Sequence, residues 1–405
     1  MCLQIRSIGG QGRAPVKIVD VRATRPIGPF EWTLVRLETD DGAIGYGEMP
    51  IFSRVHSDDL TQVRELLVGR RPHDVEPLLA PLMVAFAHAR NPGLVHAVEI
   101  ALLDLAGQAM GVPVYVLLGG KYRDRIRLNA DSHGGADWSP ALIRENRHLA
   151  QEEKRLAEIY RPDAYARHAA EVVAAGYDAV KFDVDFPTPN KKDRDDRSIA
   201  PAELRAIVEV VAAIRGAIGP DVDLAIDLHA AYNVADALRV AYELEPFRLT
   251  WLEDPVPPGN HEAMAKVTAK SRIPICTGES LVGREAFRDL LTRQAADIIQ
   301  PDTPRASGMR DLKKIADLAD LYAVSIAPHN MTSPIGTIAA VHAGAAIPNF
   351  LALEFHCRGI AWWQDCVAGP PLIERGSIAV PERPGLGIAV DEASLAAHAV
   401  GDLWL

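Results

Sequence analysis

Asp223-Leu224-Ala225-Ile226-Asp227-Leu228-His229 is a short apolar run that closes on an acid and a histidine. Similar endings recur in Leu252-Glu253-Asp254-Pro255 and Thr277-Gly278-Glu279-Ser280, so that Asp227, Glu253 and Glu279 fall 26 residues apart at each step. That spacing is one strand and one helix per step. Reading outward, eight β-branched or apolar runs alternate with longer amphipathic stretches. They are Ile126 to Ala130, Ala179 to Asp183, Val222 to Leu228, Leu249 to Leu252, Ile273 to Thr277, Ile298 to Gln300, Val324 to Ala327 and Phe350 to Glu354. Strands alternating with helices give a parallel sheet, and this number of units predicts closure into a barrel. An open doubly wound α/β sheet is the alternative.

The segment before these runs has a different rhythm. Apolar residues alternate in Trp32-Thr33-Leu34-Val35-Arg36-Leu37, and Asp41-Gly42 supplies hairpin chemistry, which predicts antiparallel strands over Val16 to Glu48. A helical pattern over Ala97 to Ala106 follows, closed by Gly111 and Pro113. Strands followed by helices mark an α+β domain. The predicted division is residues 1–124 as this domain, 125–366 as the barrel, and 367–405 as a Pro- and Gly-rich segment that returns to the first domain. Met1 to Lys17 reads as a loose leader. The oversized Asp131 to Asp163 connection reads as a lid over the barrel mouth.

With 405 residues, 48% of them hydrophobic, the chain can bury a large core. Its net charge is -11 with scattered Lys and Arg, against a nucleic-acid footprint. Cys2, Cys276, Cys357 and Cys366 form neither a disulfide framework nor a C-x-x-C pair, which predicts a reducing, cytoplasmic setting. No leader of the secretory kind is read, and no run reaches the roughly 20 apolar residues of a membrane span. The expected partner is a small molecule, on a homo-oligomer, with neither nucleic acid nor membrane.

In barrels of this type chemistry sits where strands run into helices. One acid there is more often a helix cap or ion-pair member than a ligand. Three at equal spacing on adjacent strands, which lie about 4.8 Å apart, can converge on one ion. Oxygen-only ligation by Asp227, Glu253 and Glu279 suits Mg²⁺. Asp227 and His229 are two apart, which on an extended strand puts both side chains on one face. Lys181 and Asp183 repeat that spacing one strand earlier, either as catalytic and substrate-binding groups or as an internal ion pair. His329 ends the seventh run, opposite the third in an eight-stranded ring, and Asp302 on the sixth is placed to orient it. Glu354, if protonated, could support an oxyanion. Trp362 and Trp363 read as walls, with Trp362 a candidate substrate contact, and His342 and His356 as packing or supporting groups.

Together these segments resemble the enolase superfamily, in the branch of mandelate racemase and the acid-sugar dehydratases. Ala97 to Ala106 with Leu117-Leu118-Gly119-Gly120, Lys181-Phe182-Asp183, Asp227-Leu228-His229, Leu252-Glu253-Asp254-Pro255, Thr277-Gly278-Glu279-Ser280, Gln300-Pro301-Asp302 and Ala327-Pro328-His329 carry the likeness. It implies a (β/α)₇β modified TIM barrel, a capping domain made by both chain ends, Mg²⁺ on the three acids, and a Lys or His base. Two departures stand out: many relatives have Lys-x-Lys where this chain has Lys181-Phe182-Asp183, and Gly-Gly where it has Ser307-Gly308. The histidine two after the first ligand is similar to that of galactonate and mannonate dehydratases, where it acts as acid for the departing hydroxyl. The implied reaction is loss of water from a sugar acid to give a 2-keto-3-deoxy acid. The alternatives are a racemase or epimerase on the same groups, and a metal-retaining binding or regulatory barrel.

Overall fold

A computed structural model of the chain describes residues 16–87, 91–133, 160–185 and 196–405. Most of the leader and of the lid expected over Asp131 to Asp163 lies outside the described residues.

The first three strands, β1 (Ile18–Ala23), β2 (Leu34–Thr39) and β3 (Ile44–Glu48), form an antiparallel meander. Helix Pro92–Met110 lies across it, buried from Gly93 to Gly107 except at His96. The helix approaches closely because Gly45 and Gly47 face it, and a Cβ at Gly47 would collide with the carbonyl of Ala97. By length and composition this helix could cross a membrane, but here it is the buried centre of the cap.

The barrel strands are β4 (Arg125–His133), β5 (Ala179–Asp183), β6 (Asp223–Asp227), β7 (Trp251–Glu253), β8 (Ile275–Thr277), β9 (Ile298–Ile299), β10 (Ser325–Ile326) and β11 (Leu353–Phe355). Neighbours run parallel from β4 to β10, β11 pairs with β4, and an Ile326 to Phe350 bridge completes the ring. The open-sheet alternative is therefore excluded. β5 is buried at every position, as a strand covered by helices on one face and barrel interior on the other must be. Helices follow β4 through β10, whereas β11 leads into short 3₁₀ turns, giving (β/α)₇β.

The C-terminal segment has two attachments, not the single one read from sequence. Strands β13 (Ile373–Glu374) and β14 (Ser377–Ala379) make a hairpin that extends the barrel sheet at β4, with Ser377 opposite Arg127. Farther on, β15 (Ala389–Val390) pairs with β12 (Val367–Ala368), and bridges from Ala399 to Ile27 and from Trp404 to Thr24 return the chain to the cap.

Buried carboxylates hold cap to barrel. Glu48, at the end of β3, accepts from Ser333 N (2.9 Å), Ser333 Oγ (2.5 Å) and Gly336 N (2.9 Å) at the start of helix Pro334–Ala345. Glu99 accepts from Met309 N (2.8 Å) and Arg310 N (2.9 Å) in the first turn of helix Gly308–Leu321. Each acid meets a helix N-terminus, where backbone N–H groups and the macrodipole favour it. Asp104 accepts from Tyr46 N (3.1 Å) and Leu386 N (2.8 Å), fastening the C-terminal segment. Losing such an acceptor strands buried donors at roughly 1–3 kcal/mol each.

Candidate active site

Register alignment puts Asp183 opposite Asp227 and Asp227 opposite Glu253 at the outgoing ends of β5, β6 and β7. Glu279 lies past the end of β8, on a turn made by Gly278 at φ 134°, where a Cβ would crowd Phe287 at 2.9 Å. One oxygen from each of Asp227, Glu253 and Glu279 falls within 4.8 Å of the others. Asp227 and Glu253 are almost fully buried, and Glu279 is 24% exposed, so the group faces the mouth. Burial and the charge of Asp227 push the Glu253 carboxyl up, whereas His229 and Lys181 hold Asp227 down against its own burial. Crowded acids with oxygen donors only are the chemistry a hard divalent cation satisfies. Asp254 takes the Thr277 hydroxyl, and Asp223 pairs with Arg127 (2.6 Å) at the opposite strand end.

His229 reaches the site by a route the sequence reading did not foresee. The strand stops at Asp227, and His229 and Ala230 adopt left-handed backbone (φ 41° and 60°), so the extended-strand argument does not hold. The Asp227 side chain makes the turn, accepting from His229 N at 2.8 Å. His229 Nε2 then sits 3.6 Å from Asp227 Oδ2 and 3.8 Å from Asp183 Oδ2, with Nδ1 3.0 Å from Asp185 Oδ1. Burial opposes a charge on this ring, but the carboxylates of Asp227, Asp185 and Asp183 raise its pKa well above the ordinary imidazole range.

At the other end of the acid group, His329 Nε2 lies 3.5 Å from Glu279 Oε2, and Nδ1 lies 2.6 Å from Asp302 Oδ2. Asp302 is itself fixed, because its other oxygen accepts from Arg305 N at 2.8 Å in the turn Thr303–Ser307. A short Nδ1 contact to a carboxylate sets the tautomer and leaves Nε2 facing the mouth.

Lys181 is 1% exposed, with its ammonium among four carboxylates: Glu253 at 2.5 Å, Asp227 at 3.3 Å, Asp131 at 3.7 Å, and Glu354 in closest contact. Burial would lower its pKa, but these charges keep it well above the usual range. Glu354 corrects an expectation. Donating to an oxyanion requires a protonated carboxyl, and here Lys181, His356 and His329 overcome burial and hold Glu354 well below the ordinary range. It is thus an acceptor rather than a donor. The Trp362 ring stacks on His398 (3.7 Å, 8° between planes) and meets Trp32 edge-on at 5.6 Å. Those contacts set the ring at the seam between cap and chain end.

The sequence reading passed over Asp131, Asp185 and the full role of His356. His356 spans from Asp131 Oδ2 (2.7 Å) to Glu354 Oε1 (2.8 Å), tying the first barrel strand to the last. Asp131 directly follows the first apolar run, so the strand-end rule applied to that run would have found it.

A closed parallel barrel with acids and two histidines gathered at the outgoing strand ends defines an enzyme of the (β/α)₇β type. Residues 164–394 match the profile described as Enolase C-terminal domain-like, and residues 13–119 match that of the Mandelate racemase / muconate lactonizing enzyme, N-terminal domain. The chain belongs to the mandelate racemase/muconate lactonizing enzyme family of the enolase superfamily. It is 39% identical to a D-xylonate dehydratase of Haloferax volcanii, over 96% of this chain and 90% of that protein. It is 31% identical to a D-galactonate dehydratase of Xanthomonas axonopodis pv. citri, over 90% of each. A solved mandelate racemase/muconate lactonizing enzyme-like protein from Rubrobacter xylanophilus superposes with TM-score 0.84 at 35% identity, covering 96% of this chain and 98% of that one.

Proposed function

We propose that the chain is a Mg²⁺-dependent acid-sugar dehydratase, a hydro-lyase that converts an aldonic acid into its 2-keto-3-deoxy product. The observation that carries this reading is the pair of histidines at the two ends of one acid group, His229 beside Asp227 and His329 beside Glu279. The dehydratase relatives support the reaction class.

Asp227, Glu253 and Glu279 would hold the cation. When bound, Mg²⁺ supplies Lewis-acid charge for the substrate carboxylate and for the negative charge that grows there as the α-proton leaves. His329 Nε2 takes the α-proton, and Asp302 keeps the imidazole in the accepting tautomer and balances the imidazolium. His229 donates a proton to the 3-hydroxyl as its C–O bond breaks, so water departs. The resulting enol tautomerises to the 2-keto acid. Asp183 and Asp185 keep His229 charged for that step. Lys181, held as an ammonium, supports the floor of the acid group and binds substrate rather than serving as base. Glu354 accepts a hydrogen bond from the substrate instead of donating to an oxyanion.

The test is turnover of a panel of aldonic acids, D-xylonate first, with Mg²⁺ and detection of 2-keto acid as a semicarbazone. A keto product supports the reading. α-Proton exchange with inversion and no keto product would make the chain a racemase or epimerase. Binding without turnover or exchange would make it a non-catalytic barrel.

A further inference from the structure

The loops that follow β9 and β10 carry Asp302 and His329, and the cap grips both of them. On the β9 side, His96 Nδ1 donates to Pro304 O at 2.8 Å, two residues past Asp302, and Glu99 takes the N–H groups of Met309 and Arg310. On the β10 side, Trp32 Nε1 donates to Met331 O at 2.9 Å, two residues past His329, and Glu48 takes Ser333 N, Ser333 Oγ and Gly336 N. All four cap side chains come from the strand meander or its long helix, and the partners are up to 299 residues away in sequence. None of the four touches Asp227, Glu253 or Glu279 in these contacts. Each grip falls two to eight residues past one member of the His329–Asp302 pair, and none of these contacts is to another site group.

We propose that Trp32, Glu48, His96 and Glu99 are positioning residues for proton abstraction: the cap fixes the two loops and thereby the spacing of His329 and Asp302. The geometry is specific because Glu48 and Glu99 each anchor the first turn of the helix that follows one member of the pair. A carboxylate in that place accepts two or three directed bonds at once, so it fixes the rotation of the turn as well as its distance. The cap, in this view, is half of the base and not only a cover. This inference rests on the assignment of His329 as base.

The experiment compares kcat, KM and α-proton exchange for Glu48→Ala, Glu99→Ala, their Gln counterparts, Trp32→Phe and Asp104→Asn, all in the full chain with Mg²⁺. Asp104 is the control, since it is a buried cap acid that holds the C-terminal segment and neither loop. Displacement of a reacting group by about 1 Å can cost on the order of 10²-fold. The alanine variants are therefore expected to lose about 10- to 10²-fold in kcat with KM unchanged. Gln accepts through its one carbonyl oxygen but turns an NH₂ toward the donor on the other side, so it restores only part of the rate. Trp32→Phe keeps the ring and loses only the Met331 bond, so it carries the test if an alanine variant does not fold; a severalfold fall in kcat is expected. Asp104→Asn lowers the Tm and leaves kcat alone. Parent kcat in the folded Glu48, Glu99 and Trp32 variants overturns the inference, as does a fall in Asp104→Asn that matches theirs. If His329→Asn is inactive while the cap variants keep the parent kcat, only this inference fails. If His329→Asn still exchanges its substrate proton, the base assignment itself has failed.

Discussion

His329 Nδ1 and Asp302 Oδ2 are 2.6 Å apart, and neither residue is free to turn away: Asp302 is pinned through Arg305 N, and both are buried. The proposed base and its orienting acid follow neighbouring strands, β10 and β9, and meet beside the acid group. Replacing Asp302 by Asn would keep the shape but reverse the tautomer preference of the imidazole. Asp302→Asn is expected to lower kcat by about 10²- to 10⁴-fold. Steady-state kinetics checks this, with substrate binding by calorimetry nearly unchanged.

His229 has a different part, and its loss should separate the two halves of the reaction. His229→Asn removes the proposed acid for the leaving hydroxyl but leaves His329 intact. Dehydration is expected to fall by about 10²- to 10⁴-fold, while α-proton exchange continues in deuterated solvent. Product assay and NMR on the same sample test this; equal loss of both signals contradicts the assignment.

Those two histidines also show how far the sequence could be read. The equal spacing of Asp227, Glu253 and Glu279 and the strand-end position of Asp302 and His329 were legible, because a parallel barrel places each strand end by local rules. His229 was found for a reason that does not hold, since Asp227 bends the backbone by accepting from His229 N. The charge state of Glu354 stayed open because it depends on Lys181 and His356, which no spacing reveals. The cap anchors were out of reach for the same reason: Glu48 and Ser333 are 285 residues apart. The available signal was a pair of acids, Glu99 and Asp104, inside the otherwise apolar helix Ala97 to Ala106, where a buried charge demands partners.

The acid group should respond to metal in stability as well as rate. Exhaustive chelation is expected to abolish turnover and added Mg²⁺ to restore it. A ligand at about 100 times its Kd stabilises the folded state by about 2.7 kcal/mol, so Mg²⁺ should raise the Tm of the parent chain. Glu253→Gln should lose most of that rise, because it removes an anionic ligand. Scanning calorimetry with and without Mg²⁺ decides the matter, and an equal rise in both chains would place the metal elsewhere.

Stability should also fall with pH over the range where the cap anchors ionise. Burial pushes Glu48 up to about 7 and Glu99 up to about 8, against the hydrogen bonds each accepts. A carboxyl whose folded pKa lies above its unfolded value binds more protons folded than unfolded. Its contribution is thus complete below the unfolded value, near 4.5, and is lost as pH rises through the folded one. The Tm of the parent chain is expected to drift down between about pH 5 and pH 8. Glu99→Gln, which cannot ionise, should flatten that slope, and thermal melts across the range check it.

The most direct measurement follows the substrate α-proton by NMR in deuterated solvent with Mg²⁺, comparing the parent chain with folded His329→Asn. The account predicts rapid loss of that proton with the parent chain and none above background with His329→Asn. Exchange at the parent rate in His329→Asn would contradict it.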